Sequence, residues 1–69
     1  MSTIPISLND EPKQVAAGES VASLIDALKL RRAGLAVAVN AEVVPQREWA
    51  QKILQANDSI LIITATQGG

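Results

Sequence analysis

The chain has no cysteine, no histidine, no phenylalanine and no tyrosine among its 69 residues, and its aromatic content is one tryptophan, Trp49. Without thiols it can hold no disulfide framework and no cysteine nucleophile; without imidazole it lacks the commonest metal ligand and the commonest general base. A lone aromatic cannot form a platform on which nucleobases stack. Charge is sparse as well. Six Lys and Arg stand against seven Asp and Glu, a net charge of −1, so the electrostatic footprint of a nucleic-acid binder is missing. No apolar run approaches the ~18 residues of a membrane span, and the opening MSTIPISLNDE has no basic region followed by an apolar core. The sequence reads as that of a cytoplasmic protein. Its length supports one domain with a small core, which leaves little room for a catalytic cleft.

What is present is pattern. Ile4, Ile6 and Leu8 alternate with Pro5, Ser7 and Asn9, which predicts a half-buried strand placed by Pro5 at an edge or a strand start. NDEP turns the chain, and KQVAA returns as the second strand of a hairpin, led by Val15, with a loop at AGE. Ser20 is the expected N-cap of a helix whose apolar stripe is Val21, Leu24, Ile25 and Leu28, spaced i, i+3, i+4 and i+7. Lys29, Arg31 and Arg32 follow where cations meet the negative end of the helix dipole, and Gly34 is expected to close the turn. Complementing the helix dipole is the default for these cations, and a partner-binding patch is the alternative for Arg31-Arg32.

LAVAVN reads as a buried strand, AEVV as a short continuation interrupted at Asn40-Ala41 and stopped by Pro45, and REWAQKIL as one or two helical turns. SILIITAT is apolar on both alternating sets, Ile60 and Ile62 on one side and Leu61, Ile63 and Ala65 on the other, the pattern of a central strand. The expected fold is α+β, a mixed four- to five-stranded sheet with one main helix packed on one face. The helix stripe should lie against Ile4, Ile6, Val37, Val39, Ile60 and Ile62. One helix covers one face, so Leu61 and Ile63 are assigned to a partner interface. Trp49 is assigned to the core or its rim, and Glu42 and Glu48 to solvated surface.

The sequence closes on Gln67-Gly68-Gly69, which divides it into a body, residues 1–66, and a flexible diglycine tail, residues 67–69. Extended, the tail reaches roughly 10 Å past Thr66. Its two glycines lack the Cβ atoms that would block a narrow channel. The terminal carboxyl would be an anion at neutral pH. Such a carboxylate is a poor acyl donor until ATP converts it to an acyl-adenylate.

The order of these features resembles the ubiquitin-like β-grasp fold, and more narrowly the ThiS family of sulfur carriers of thiamine thiazole biosynthesis. The residues that carry the resemblance are Val39-Asn40, Glu42 to Pro45, Trp49, Asp58 with Ile60, and Gly68-Gly69, over essentially the whole chain. Asn57 departs from the family, which usually has glycine before that aspartate. Asparagine tolerates the left-handed conformation, so the turn is expected to persist. The resemblance implies a protein cosubstrate rather than an enzyme. A ubiquitin-activating-like adenylyltransferase, which would supply the ATP site and metal, adenylates Gly69. A sulfur donor protein makes the thiocarboxylate, and thiazole synthase consumes it. The chain itself is expected to bind no cofactor and no metal. Other readings keep the diglycine and change its use: the small subunit of molybdopterin synthase, a ubiquitin-like modifier of lysines, or a binding module.

Overall fold

Two hairpins, one helix and a last strand account for the described residues, 2–64, of the computed structural model. In chain order they are β1 (Thr3–Leu8), β2 (Glu11–Ala16), α1 (Val21–Ala27), β3 (Leu35–Val39), β4 (Glu42–Val44), a single 3-10 turn (Gln46–Glu48) and β5 (Ser59–Thr64). The sheet order is β2-β1-β5-β3-β4. β5 is parallel to β1 and antiparallel to β3, so the expected mixed sheet has five strands and its last strand in the middle, a β-grasp. Residues 67–69 and the body boundary at residue 66 lie outside the described residues.

Both hairpins close through two-residue turns whose central residues have left-handed backbones: Asn9 (φ 49°) with Asp10 (68°), and Asn40 (52°) with Ala41 (71°). This geometry matches the right-handed twist of the flanking strands. The second turn corrects the reading of AEVV as a continuation, because Glu42 doubles back opposite Val39 and Val44 opposite Val37. An alanine in the left-handed region gives no composition signal for a turn, which is why the pattern hid it. The first hairpin is also tighter than expected: only Asn9 and Asp10 turn, and Glu11 and Pro12 already belong to β2, opposite Leu8 and Ser7.

Ser20 caps α1 as expected, its hydroxyl accepting the Ser23 N–H at 3.1 Å. The helix stops because its stripe runs out: past Leu28 the next inward positions would be Arg31 and Arg32. Its C-terminal cap is centred on Lys29 (φ 59°). The N–H of Lys29 donates to Asp26 O at 3.0 Å and that of Leu30 to Ile25 O at 3.3 Å, the paired bonds of a Schellman motif. Gly34 (φ 73°) does not end the helix; it turns the chain into β3.

Val21, Leu24 and Ile25 are buried with Ile6, Val37, Val39 and Ile60, while Leu28, Ile4 and Ile62 are half-buried around them. Trp49 is 1% exposed, and its indole N–H donates to Val44 O at 2.8 Å, so the largest side chain is buried with its one polar atom satisfied. Leu54, which the periodicity did not single out, completes this core. Asn57 (φ 71°) does take the left-handed conformation. Next to it the buried Asp58 carboxylate accepts from Gln55 N–H at 2.8 Å and from Asn40 Nδ2 at 3.0 Å, while Asn40 Oδ1 accepts from Ser59 N–H at 2.9 Å. These bonds join the β3–β4 turn to the start of β5.

Because Leu24 is 1% exposed at the centre of the helix stripe, Leu24→Ala should cost about 2–5 kcal/mol. Denaturant unfolding followed by circular dichroism measures it, and a loss below about 1 kcal/mol would contradict the packing described.

Candidate functional site

β5 is held very differently along its two edges. On the β3 side it pairs from Val39 opposite Ile60 to Leu35 opposite Thr64. On the β1 side only Ser7–Ser59 and Leu8–Ile60 face each other, since β1 then turns away. The side chain of Asn9 continues the ladder: its Oδ1 accepts the Ile62 N–H at 2.8 Å and its Nδ2 donates to Ile62 O at 3.4 Å. A primary amide has the donor and acceptor of a peptide group, so Asn9 acts as one more strand residue. Nothing in the local sequence announced this pairing, because 53 residues separate the partners.

The side chains of β5 alternate between the helix-covered core and the open face. Ile60 is buried and Ile62 half-buried, whereas Leu61 is 45% and Ile63 52% exposed. The register extends this apolar surface sideways. Ala38 lies opposite both Leu61 and Val43, and Ala36 opposite Ile63. Val43 is 75% exposed, the most exposed large apolar side chain among the described residues. It was missed because its place on this face follows from the hairpin at Asn40-Ala41; once that turn is known, alternation with the buried Val44 puts it there. The rest of the open face, over β1 and β2, carries Thr3, Pro5, Ser7, Pro12, Gln14 and Ala16 and no large apolar side chain: Thr3 Oγ1 donates to Gln14 Oε1 at 3.1 Å across it. The open face is therefore divided, with an apolar half over β5, β3 and β4.

The same residues supply little reactive chemistry. Glu42 and Glu48 are exposed and set apart, as expected. A shallow groove lined by Pro5, Ile6, Ser7, Asp10, Pro12 and Asn57 holds a single ionisable group, too few for an acid and base couple. Among the described residues no three carboxylates gather as a metal site would require, and no helix is long and apolar enough to cross a membrane. Of the expected site residues, the structure places Leu61 and Ile63 side by side on the open face; Gln67, Gly68 and Gly69 lie outside the described residues.

With that geometry in hand, similarity to known proteins is informative. The model of the ThiS family matches residues 6–69. The sulfur carrier protein ThiS of Escherichia coli (strain K12) is 44% identical over 64 residues, which cover 93% of this chain and 97% of that protein. The crystal structure of the thiamine biosynthesis protein ThiS from Geobacter metallireducens superposes with a TM-score of 0.82 at 25% identity, covering 96% of this chain and 100% of that one.

The Asn9 bridge makes a prediction about β5. Asn9→Gly keeps the left-handed turn but removes the bonds to Ile62, so exchange of the Ile62 amide hydrogen should quicken by roughly tenfold, the equivalent of one ordinary hydrogen bond. Amide exchange followed by NMR reads this directly, and unchanged protection at Ile62 would show that the backbone alone holds the strand.

Proposed function

The chain belongs to the ThiS family, and on that premise we propose that it is a sulfur carrier for thiamine biosynthesis in which Gly69 bears the sulfur. The observation that carries this reading is the extent of the match: the family model runs to Gly69 and the named sulfur carrier aligns over nearly its whole length. The poverty of reactive side chains in the body agrees with it, since a carrier's partners supply the catalytic groups.

In the proposed cycle, a carboxylate oxygen of Gly69 attacks the α-phosphate of ATP in an adenylyltransferase, releasing pyrophosphate and leaving an acyl-adenylate. Sulfur at the sulfide level, from a donor protein, attacks the acyl carbon and AMP departs. The thiocarboxylate sulfur, softer and more nucleophilic than oxygen, then attacks a carbonyl-derived intermediate in thiazole synthase, and water restores the carboxylate. The chain is a cosubstrate throughout. The cycle would run in the cytoplasm, where ATP is at hand. Leu61, Ile63 and Val43 would rest against the activating enzyme while Gln67 and Gly68 span the distance to its nucleotide site. Apolar side chains at the centre of such a contact dominate its affinity.

Deleting Gly69 moves the carboxyl back by about 3.3–3.6 Å, more than the ~1 Å misplacement that already costs a reaction about a hundredfold. After incubation with the adenylyltransferase, ATP and a sulfur source, intact mass should show one oxygen replaced by sulfur in the full-length chain and no change in the truncated one. Sulfur in the truncated chain, or none in the full-length chain with an active partner, would overturn the assignment.

Leu61→Asp tests the docking surface separately. With Leu61 already 45% exposed, the fold should be kept while the KM for the carrier in adenylation rises about tenfold or more, as expected when a central contact worth over 1.4 kcal/mol is lost. An unchanged KM would place the docking surface elsewhere.

A further inference from the structure

Cations gather at the end of the sheet where the described part of β5 finishes. Thr64 faces Leu35, the first residue of β3, so the loop that leads into β3 from the end of α1 lies at that end. That loop carries Lys29, Arg31 and Arg32. β4 runs antiparallel to β3 with Val44 opposite Val37, which brings Pro45 to Glu48, and Arg47 with them, to the same end. A bond from Gln46 Nε2 to Arg32 O at 2.8 Å ties the two segments together. Four of the six cationic side chains thus lie in one exposed arc on the β3–β4 side, where they outnumber the two acidic residues beside them, Asp26 and Glu48. Arg32 pairs with Asp26 at 3.3 Å; among the described residues Lys29, Arg31 and Arg47 form no ion pair. On the other flank of β5, level with its first half, the β1–β2 turn presents Asp10 and Glu11, since Glu11 lies opposite Leu8 and Leu8 opposite Ile60.

We propose that the cationic arc docks against a carboxylate-rich surface of the adenylating partner and sets the orientation in which the carrier is held; this rests on the sulfur-carrier reading. The apolar half of the open face is uncharged and non-directional, so it supplies contact area without selecting a rotation. A positive arc on one flank of β5 and a negative turn on the other select one. Neighbouring strands lie ~4.8 Å apart, so both flanks fall within about a Debye length of the strand that leads to the tail. Such complementarity acts on encounter rate and register more than on residence time. Protein carboxylates fit this arc better than nucleotide phosphates do. The four cations are spread over a loop and a 3-10 turn, whereas a phosphate site needs donors that converge.

The experiment is steady-state adenylation, read as pyrophosphate release, with the adenylyltransferase of the same organism and varied carrier at about 50–300 mM NaCl, a range over which surface charges are progressively screened. The wild-type KM for the carrier should rise with salt. The double variant Arg31→Glu, Arg47→Glu should raise KM about tenfold at low salt, leave kcat within about twofold and flatten the salt dependence, with its melting temperature unchanged. Lys13→Glu with Lys52→Glu alters net charge equally, away from the arc, and should leave KM as in the wild type. Should the first pair fail to fold, Arg31→Gln with Arg47→Gln should still raise KM in the same direction. Equal KM values for the two double variants, or an increase confined to the KM for ATP, would overturn the arc as a docking surface. A wild-type carrier that is not adenylated at any salt concentration would overturn the sulfur-carrier reading instead.

Discussion

Everything in this fold hangs on the insertion of β5 between two hairpins that otherwise share no strand contact. The β1–β2 hairpin and the β3–β4 hairpin sit on opposite sides of it, so the sheet, and with it the surface that covers α1, exists only once the last strand is in place. This explains the composition of SILIIT. A strand with neighbours on both edges and a helix over one face needs apolar residues at Ile60 and Ile62, and its other face, Leu61 and Ile63, is apolar for a reason the core does not supply. It also explains the polar fittings around it. Asp58 and Asn40 secure the start of β5, and Asn9 secures its middle where β1 has already turned away. A strand bonded along both edges makes a firm base for whatever is attached past Thr64.

What the sequence revealed and what it concealed divide by range of interaction. Alternation showed β1 and β5, the i, i+3, i+4 spacing showed α1, and Ser20 and Asn57 were readable because capping and left-handed turns are local demands. Trp49 was readable because a small core recruits its largest side chain. The second hairpin was not, because Ala41 occupies a left-handed position that usually carries glycine or asparagine. Lys29 misled in the same way, drawing attention to Gly34 as the helix stop. Asn9 and the Asp58 bonds were invisible for a different reason: a polar side chain in a turn looks the same whether it meets solvent or a strand 53 residues away. Missing the hairpin also hid Val43, so the open apolar face looked two residues wide when it spans three strands.

The residues that make the family resemblance specific are mostly not those proposed to carry its chemistry. Asn40 and Asp58 bond to each other, Trp49 fills the core and is tied to Val44, and Ile60 is buried. All are requirements of the fold. A motif dominated by such residues identifies a scaffold with confidence, and a relative 44% identical over most of the chain does so again. The job proposed for residues 67–69 is separate and draws on almost no side-chain information. Side-chain poverty is what a threaded segment needs, and it makes the last residues uninformative about which partner receives them.

Partner choice must then be settled by the body, and the body offers two unlike surfaces. The apolar half of the open face, Leu61, Ile63 and Val43 with Ala36 and Ala38 between them, is small for a lasting interface and free of charge. A carrier that must leave one enzyme to reach the next gains from that, because a contact area well below the ~800 Å² per partner of a standard complex permits fast release. Weak apolar contact alone would let the carrier settle in several rotations, only one of which aims β5 at an active site. A cationic arc by the end of β5 and an acidic turn on its other flank would remove that degeneracy at little cost in residence time, since exposed charges act mainly on encounter and on wrong orientations. A compact body with few charges can thus meet two opposing demands, brief binding and fixed direction, by keeping its apolar contact on the sheet face and its cations at one end.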